Sequence, residues 1–383
     1  MPDTVRGLFG SKDYEAGIKK LDIRDKIYEL QPDVTPFITV LGKMSKFRAV
    51  DNEFKWFEDD LLGNYTKINC AAGYAAGITI LVVDDASIFQ VNDVVKDLTT
   101  EECMLITGID DTNNKITVRR GWGTTEAAAI ADNEYIYKLG SAMQEGYTAP
   151  ESLITAKTPK TNFLQTFSKT VMLTQRAQNI DTYGGNRRNF ERNKKGVELK
   201  REMESQLIWG EPKEDTTGSQ PIWQTGGVYY FITSNAPELD MSGAALTESA
   251  FEGWLKDVFL YSGEDRVLFC GPLVASQISQ FAAGKQRVEA GTTIKYGIKV
   301  RTYHSTMGDI HIAVDRHFIG PHAGKGLCLK VNELIYRYMQ NMDWALDRDI
   351  QKKEDHFSKD EYSVTCGLEL HHDLLHGTMK GVE

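Results

Sequence analysis

Short runs of alternating apolar and polar residues fill much of this chain, and one long helical stretch interrupts them. The first clear alternation is EFKWFEDDL, where Phe54, Trp56 and Glu58 fall on one side and Lys55, Phe57 and Asp59 on the other. A period of two is the mark of an extended strand. Its aromatic residues predict an exposed edge that needs covering by another surface. From about Gly77 to Gly140 the runs GITILVVDDA, NDVVKDL, CMLITGIDDTNNKITVRRG and NEYIYKLG are β-rich and separated by Asp, Asn and Gly turns. Asn113 and Asn114 sit where a hairpin would reverse. About five strands in so short a span predict a small barrel or sandwich, and the composition shift at each end marks it as an insertion in a larger domain.

The pattern then changes period. RRNFERNKKGVELKREMESQLIWG predicts a helix over 187–209, with seven basic and four acidic side chains and a thin apolar stripe of Phe190, Val197, Leu199, Met203 and Leu207. Glu191–Lys195 and Lys200–Glu204 stand at i,i+4, where opposite charges support a helix. At 1.5 Å per residue it would span roughly 35 Å. So narrow a stripe suits a strut lying across a sheet, with its polar side open to solvent or partners. After it, GGVYYFITSN predicts a strand. LTESAFEGWLKDVFLYSG predicts a helix capped by Thr247, with Phe251, Leu255, Val258 and Phe259 on one face. VLFCGP reads as a buried strand and LVASQISQFAAG as a helix. YGIKVRTYHSTMGDIHIAVDRH reads as two strands joined at Met307-Gly308, and SVTCGLEL as a further strand. The fold class is therefore α+β. Residues 1–50 read as an arm: Ile18, Leu21, Ile23 and Ile27 form a short amphipathic pattern, followed by Pro32 and Pro36.

Composition narrows the function. The 383 residues exceed one compact core and predict two or three units. A net charge of −10 argues against a protein that coats nucleic acid. Five scattered cysteines without a CxxC pair argue against a disulfide framework or zinc ribbon and for a reducing cytoplasm. The start of the chain lacks the apolar core of a signal peptide, and Ile78–Val83 is far too short to span a membrane. A soluble protein is the expectation.

Candidate chemistry is sparse. GPHAGKGL is one residue short of a phosphate loop and has Gly326 where a hydroxyl should stand. IDDTNNK lacks the glycine and closing glutamate of a calcium hand. LELHHDLLHG holds three of the eight histidines. As a helix it would place His372 and His376 on one face at ligand spacing, the basis of a metal-dependent hydrolase using His371, His372 and His376. The alternation of SVTCGLEL instead favours a strand running into this segment and turning at Gly377. A strand separates His372 from His376 by roughly 13 Å, so no single ion could take all three. The expectation is no enzyme, no metal and no cofactor, with histidines free to titrate near neutral pH. A self-associating structural subunit explains the arm, the aromatic strand and the charged strut together.

The segment TNFLQTFSKTVMLTQRAQNIDTYGG, the long helix and TGGVYYFITSN, in that order, resemble tailed-phage major capsid proteins of the subfamily whose extended loop carries an inserted β-domain. PDVTPFITVLGK, EFKWFEDDL, VRRGWGTTEAAAIADNEYIYKLG, GIKVRTYHSTMGDIHIAVDRH and LELHHDLLHGTMKG continue the likeness over nearly the whole chain. The resemblance implies the Hong Kong 97-type fold: an arm (1–50), an extended loop (51–65 with 141–160), an inserted barrel (66–140), a peripheral domain (161–224 with 335–383, spine helix 187–209) and an axial domain (225–334). It implies hexamers and pentamers forming an icosahedral head around packaged DNA, in a virion assembled in the host cytoplasm. The implied partners are further copies of the chain, a portal, and scaffolding or decoration proteins, with no membrane. Contacts between subunits are expected at Pro36, Phe37, Phe54, Lys55, Trp56, Phe57, Arg188, Arg192 and Lys195. Some family members carry a lysine–asparagine cross-link; Lys55 lies on the loop strand, but no partner asparagine matches, so none is assigned.

Overall fold

The computed structural model describes residues 35–180, 185–232, 235–281, 293–295 and 298–383. Most of the expected arm lies outside these residues. The chain divides into two units, one running to Trp56 and resuming over Lys160–Glu383, the other formed by Phe57–Pro159.

Two sheets organise the larger unit. In the first, the strand order is Lys46–Ala49, Leu334–Met339, Phe357–Leu370 and Gln165–Thr174, with Ala345–Asp347 also paired to Phe357–Leu370. Its backbone is the antiparallel pair that runs from Gln165 opposite Cys366 to Thr174 opposite Phe357. A helix spans Arg187–Trp209, as its periodicity predicts, and Asn186 caps it by accepting from the Asn189 N–H at 3.1 Å. This spine helix buries Leu199, Met203, Leu207 and Ile208 in a core shared with Phe167, Val364, Cys366 and Leu368 of the sheet. Each such aliphatic side chain contributes about 1.5–3 kcal/mol through burial.

The second sheet has seven strands, ordered Glu238–Ala244, Gly377–Val382, Gly326–Leu329, Arg266–Cys270, Asp309–Val314, Ile298–His304 and Thr293–Lys295. Its central strand, RVLFC, is buried at every position because both faces are covered. Val267 and Phe269 join the core shared with the spine helix. Leu268 and Cys270 face a second core, with Phe251, Trp254, Leu255 and Val258 of the helix Glu248–Val258 and Val274 and Ile278 of the helix Pro272–Phe281. Thr247 caps the first of these helices, its hydroxyl accepting from Ala250 N at 3.3 Å.

Two expectations give way here. GGVYYFITSN is not a strand but begins with a short helix, Val228–Ile232. A Cβ on Gly227 would lie 2.7 Å from the Ile208 carbonyl carbon, so the chain folds straight back on the end of the spine helix. Val228, Phe231 and Ile232, at i, i+3 and i+4, then share the buried side. The C-terminal segment also does not stay in the first sheet: the long strand ends at Leu370, and Gly377–Val382 pairs in the second sheet beside Gly326–Leu329 and Glu238–Ala244. Residues 335–383 therefore serve both sheets.

The smaller unit is a six-stranded antiparallel sheet in the order Tyr65–Lys67, Tyr135–Ser141, Asp93–Asp97, Cys103–Asp110, Lys115–Arg119 and Ile80–Val82. The two end strands are themselves joined by the bridge Ile68–Val83, with Asn69 N donating to Val82 O and Asp84 N to Lys67 O. Alternate residues point inward, giving a core that includes Ile68, Leu81, Val95, Met104, Ile106, Ile116, Val118 and Ile136. Asn113 and Asn114 form the expected turn, and Asn114 takes the left-handed conformation at φ 49°. Glu102, almost fully buried, accepts from Arg120 Nε (2.8 Å), Gly121 N (2.9 Å) and Ala128 N (3.0 Å), and so fixes the loop after Lys115–Arg119.

Gly367, inside the long strand, leaves room for the Phe54 ring: a Cβ there would lie 2.9 Å from both Phe54 Cε1 and the Phe163 carbonyl oxygen. Because the carbonyl belongs to fixed backbone, Gly367→Ala is expected to destabilise the subunit by about 1–3 kcal/mol in urea unfolding. An unchanged midpoint would contradict this packing.

Candidate functional site

The residues expected to reach neighbouring subunits divide into two groups. Arg188 and Arg192, one turn apart on the spine helix, both close on Asp360 of the long strand, each with Nε 2.7 Å from Oδ2. The Asp349 N–H donates to the other Asp360 oxygen at 3.0 Å, and Arg188 also reaches Asp349. Asp360 is 1% exposed. Burial works against its charge, but the two guanidinium groups outweigh that and hold its carboxyl below the usual range. These arginines thus fasten the helix to its own sheet. Lys195 pairs with Glu198 at 2.6 Å, and Arg187 rather than Lys195 takes Glu191.

The expectation that Lys200 pairs with Glu204 is also overturned. Glu204 is fully buried, and its two oxygens accept from Phe37 N and Ile38 N at 3.1 Å each. Those donors open the short helix Pro36–Leu41, whose Pro36, Phe37, Val40 and Leu41 are buried. Phe37 meets Phe269 edge-on at 5.5 Å between ring centres. Burial, and then the charge of Asp315, push Glu204 up to about 9. Lys200 instead stands over the Trp344 ring at 5.6 Å.

The aromatic strand Glu53–Glu58 forms as predicted, yet Phe54 and Trp56 are not exposed. They stack on each other at 6.1 Å, and Trp56 meets Phe231 edge-on at 5.5 Å. The period of two was correct, but the aromatic face points into the chain's own core. Phe57, on the opposite face, is 68% exposed, and Lys55 lies beside Glu53 at its surface. The larger exposed apolar set lies further on, in segments without regular structure: Leu61 (97%), Leu62, Tyr147, Leu153 and Ile154 (86%). Thr155 Oγ1 donates to Asp59 Oδ1 at 2.6 Å and links the two segments. Sequence reasoning placed the extended loop here but did not single out these residues, because isolated aliphatics in loops carry no period.

The three C-terminal histidines have separate environments. His371 lies 2.8 Å from Glu369 and 3.4 Å from Glu333, and these carboxylates raise its pKa above 6.5. His372 has a left-handed backbone at φ 50° and precedes a single 3-10 turn, Asp373–Leu375, so the strand does not continue through the cluster. Gly377 opens the next strand rather than ending this one. His376 is fully buried; its Nδ1 accepts from Lys330 N at 3.3 Å and its Nε2 lies 3.1 Å from His371 O, the pattern of a neutral ring donating through Nε2. Burial depresses it to about 3. With His371 and His376 each committed to different protein groups, the segment has no convergent ligand set, and the hydrolase reading fails on geometry. Among the described residues, the side chains that do converge at metal-ligand spacing are Glu204, Asp315 and His317, which the sequence pattern did not reveal.

Solved structures share this fold. The fold is similar to that in the capsid of a native GTA particle, with a TM-score of 0.52 and 9% identity over 98% of this chain and 100% of that one. It is likewise similar to a chain of Mycobacterium phage Bobi, at TM-score 0.51 and 5% identity, covering 98% and 99%. No curated protein matches the chain. The class is that of a phage-type capsid protein, with a mixed α+β fold. Residues 10–383 match the SU10 major capsid protein family, and the chain belongs to it. It is a structural protein of a virion shell and not an enzyme.

Two measurements test these contacts. Asp360→Ala leaves two partly buried guanidinium groups without their shared partner, and should lower subunit stability by about 3 kcal/mol in urea. The raised pKa of His371 means that its ion pairs contribute fully below the unfolded value of 6.5 and are lost as pH rises through the folded one. Thermal unfolding of His371→Gln should therefore show a flatter fall in stability than the parent from about pH 6.5 upward. Identical slopes would remove the assignment.

Proposed function

We propose that the chain is a Hong Kong 97-type shell subunit that assembles into hexamers and pentamers and closes an icosahedral head around packaged double-stranded DNA. The family match over residues 10–383 carries this reading. The spine helix across an antiparallel sheet corresponds to the peripheral domain, and the seven-stranded sheet with its two helices to the axial domain. The six-stranded unit corresponds to a small all-β barrel inserted in the extended loop, a reading supported by the Ile68–Val83 bridge between its end strands.

Exposed apolar loop residues favour contact with neighbours. Phe57, Leu61, Leu62, Leu153 and Ile154 lie on the two loop segments, where they are costly to leave in water. Lys55 and Phe57 remain as proposed contact residues from the aromatic strand. Pro36, Phe37, Phe54, Trp56, Arg188 and Arg192 act within the subunit, holding the surfaces that meet. Lys195 stays near the helix surface, within reach of a neighbour. Closed symmetry multiplies modest contacts over the shell. The net charge of −10 suits a wall that encloses DNA without binding it by sequence. Portal, scaffolding and decoration proteins are the further partners this reading implies, with assembly in the host cytoplasm.

Expression of the chain should yield shells or large oligomers by light scattering and negative-stain microscopy. Leu61→Asp with Ile154→Asp should reduce the assembled fraction at least roughly tenfold while the subunit unfolds at an unchanged temperature, since an exposed substitution costs little in the isolated fold. A parent chain that stays a 43.1 kDa monomer under all conditions would overturn the proposal.

A further inference from the structure

The turn after the strand Asp309–Val314 brings Asp315 and His317 against Glu204 of the spine helix, so that one ligand atom from each lies within 4.8 Å of the others. Asp315 is fully buried. Its Oδ1 lies 2.8 Å from the His317 N–H and 2.9 Å from His317 Nδ1, while its Oδ2 has no hydrogen-bond partner. His317 Nε2 is likewise buried without a partner. If Nδ1–H donates to Asp315, Nε2 presents a lone pair, the tautomer that metal-binding imidazoles adopt when a carboxylate holds the other nitrogen. Glu204 accepts one backbone N–H at each oxygen, from Phe37 and Ile38, and lies against the Asp315 carboxyl; a carboxylate oxygen has a second lone pair to offer.

We propose that Glu204, Asp315 and His317 form a divalent-cation site that braces the spine helix and the helix Pro36–Leu41 against the seven-stranded sheet. Two carboxylates and one imidazole match the donors of Zn2+ and Mn2+, with water completing the coordination. A cation answers both unpartnered atoms and takes the place of the proton that burial and the Asp315 charge favour on Glu204. Access exists on one side. His317 lines an open cavity of about 860 Å3 beside the spine helix, together with Gln165, Ser205, Gln206 and Trp209. The buried Cys270 is also close to Asp315; burial, and then the Asp315 charge, push its thiol up to about 12, so it stays protonated and does not compete as a ligand.

The test uses the full chain, purified without chelator and then dialysed against EDTA. Elemental analysis before dialysis and thermal unfolding after addition of ZnCl2, MnCl2 or MgCl2 read the site. About one equivalent of zinc or manganese per chain is expected, with the unfolding midpoint raised by several degrees as binding to the folded state requires. In His317→Gln, and separately in Asp315→Asn, the bound metal should fall at least tenfold and the midpoint should no longer respond. Should one variant fail to fold, the other of the two provides the same reading, and Glu204→Gln, which keeps one of the two acceptor oxygens, provides a third. A parent chain whose midpoint is unmoved by all three chlorides and which carries no metal would overturn the proposal, leaving a proton shared between the carboxyls as the occupant. A folded variant that retains the parent's full metal response would overturn it equally.

Discussion

The spine helix can lie on its sheet only because its charged side chains find fixed partners where they are buried. With an apolar stripe of Leu199, Met203, Leu207 and Ile208 confined to its C-terminal half, the N-terminal half has little hydrophobic attachment. Asp360 supplies it, by drawing Arg188 and Arg192 onto the long strand. At the other end, Glu204 reaches past the stripe and receives the first two N–H groups of Pro36–Leu41 after the proline. Leaving either buried group without its partners, the charged Asp360 or the Glu204 carboxyl, would be strongly destabilising, so these two sites set the position of the helix along and across the sheet.

From that placement the rest of the larger unit follows. After the hairpin of Lys213–Asp215 with Ile222–Gln224, the chain returns to the end of the spine helix at Gly226-Gly227, where Gly227 N donates to Gly210 O at 2.8 Å. Asn162 locks this corner, its amide nitrogen donating to Gly226 O (3.1 Å) and Leu368 O (2.6 Å) and its oxygen accepting from Gly226 N (2.7 Å) and Phe163 N (2.8 Å). All four hydrogen bonds available to the amide at these distances tie three chain segments together. The strand Arg266–Cys270 then shares one face with the spine-helix core and the other with the capped helix Glu248–Val258. The chain passes from one sheet to the other between Phe357–Leu370 and Gly377–Val382, so the two sheets are joined through the chain as well as through packing.

This internal economy bears on how a shell subunit works. Residues whose chemistry suits contact with neighbours, the arginines of the helix and Phe54 and Trp56 of the aromatic strand, are already used within the subunit. The most exposed apolar side chains include Leu61 and Ile154, on irregular loop segments. Committing these side chains within the subunit makes the folding of each copy independent of the shell.

Local periodicity alone determined much of the architecture. The span Arg187–Trp209, the cap at Thr247, the hairpin at Asn113–Asn114 and the strand pair around Met307-Gly308 were all legible, because each is set by side-chain spacing and turn chemistry within a few residues. A period of two also gave the strand Glu53–Glu58, but not which face is buried, since that depends on Gly367 and Phe231, far away in the chain. GGVYYFITSN could satisfy either strand or helix locally, and contact with Ile208 decided for helix. The histidines near the C-terminus were neighbours in sequence without becoming a site. Glu204, Asp315 and His317, more than a hundred residues apart across the first gap, came together only in the fold. Burial and partners are properties of the tertiary structure, and they decided what Glu204, Asp360, His371 and His376 became.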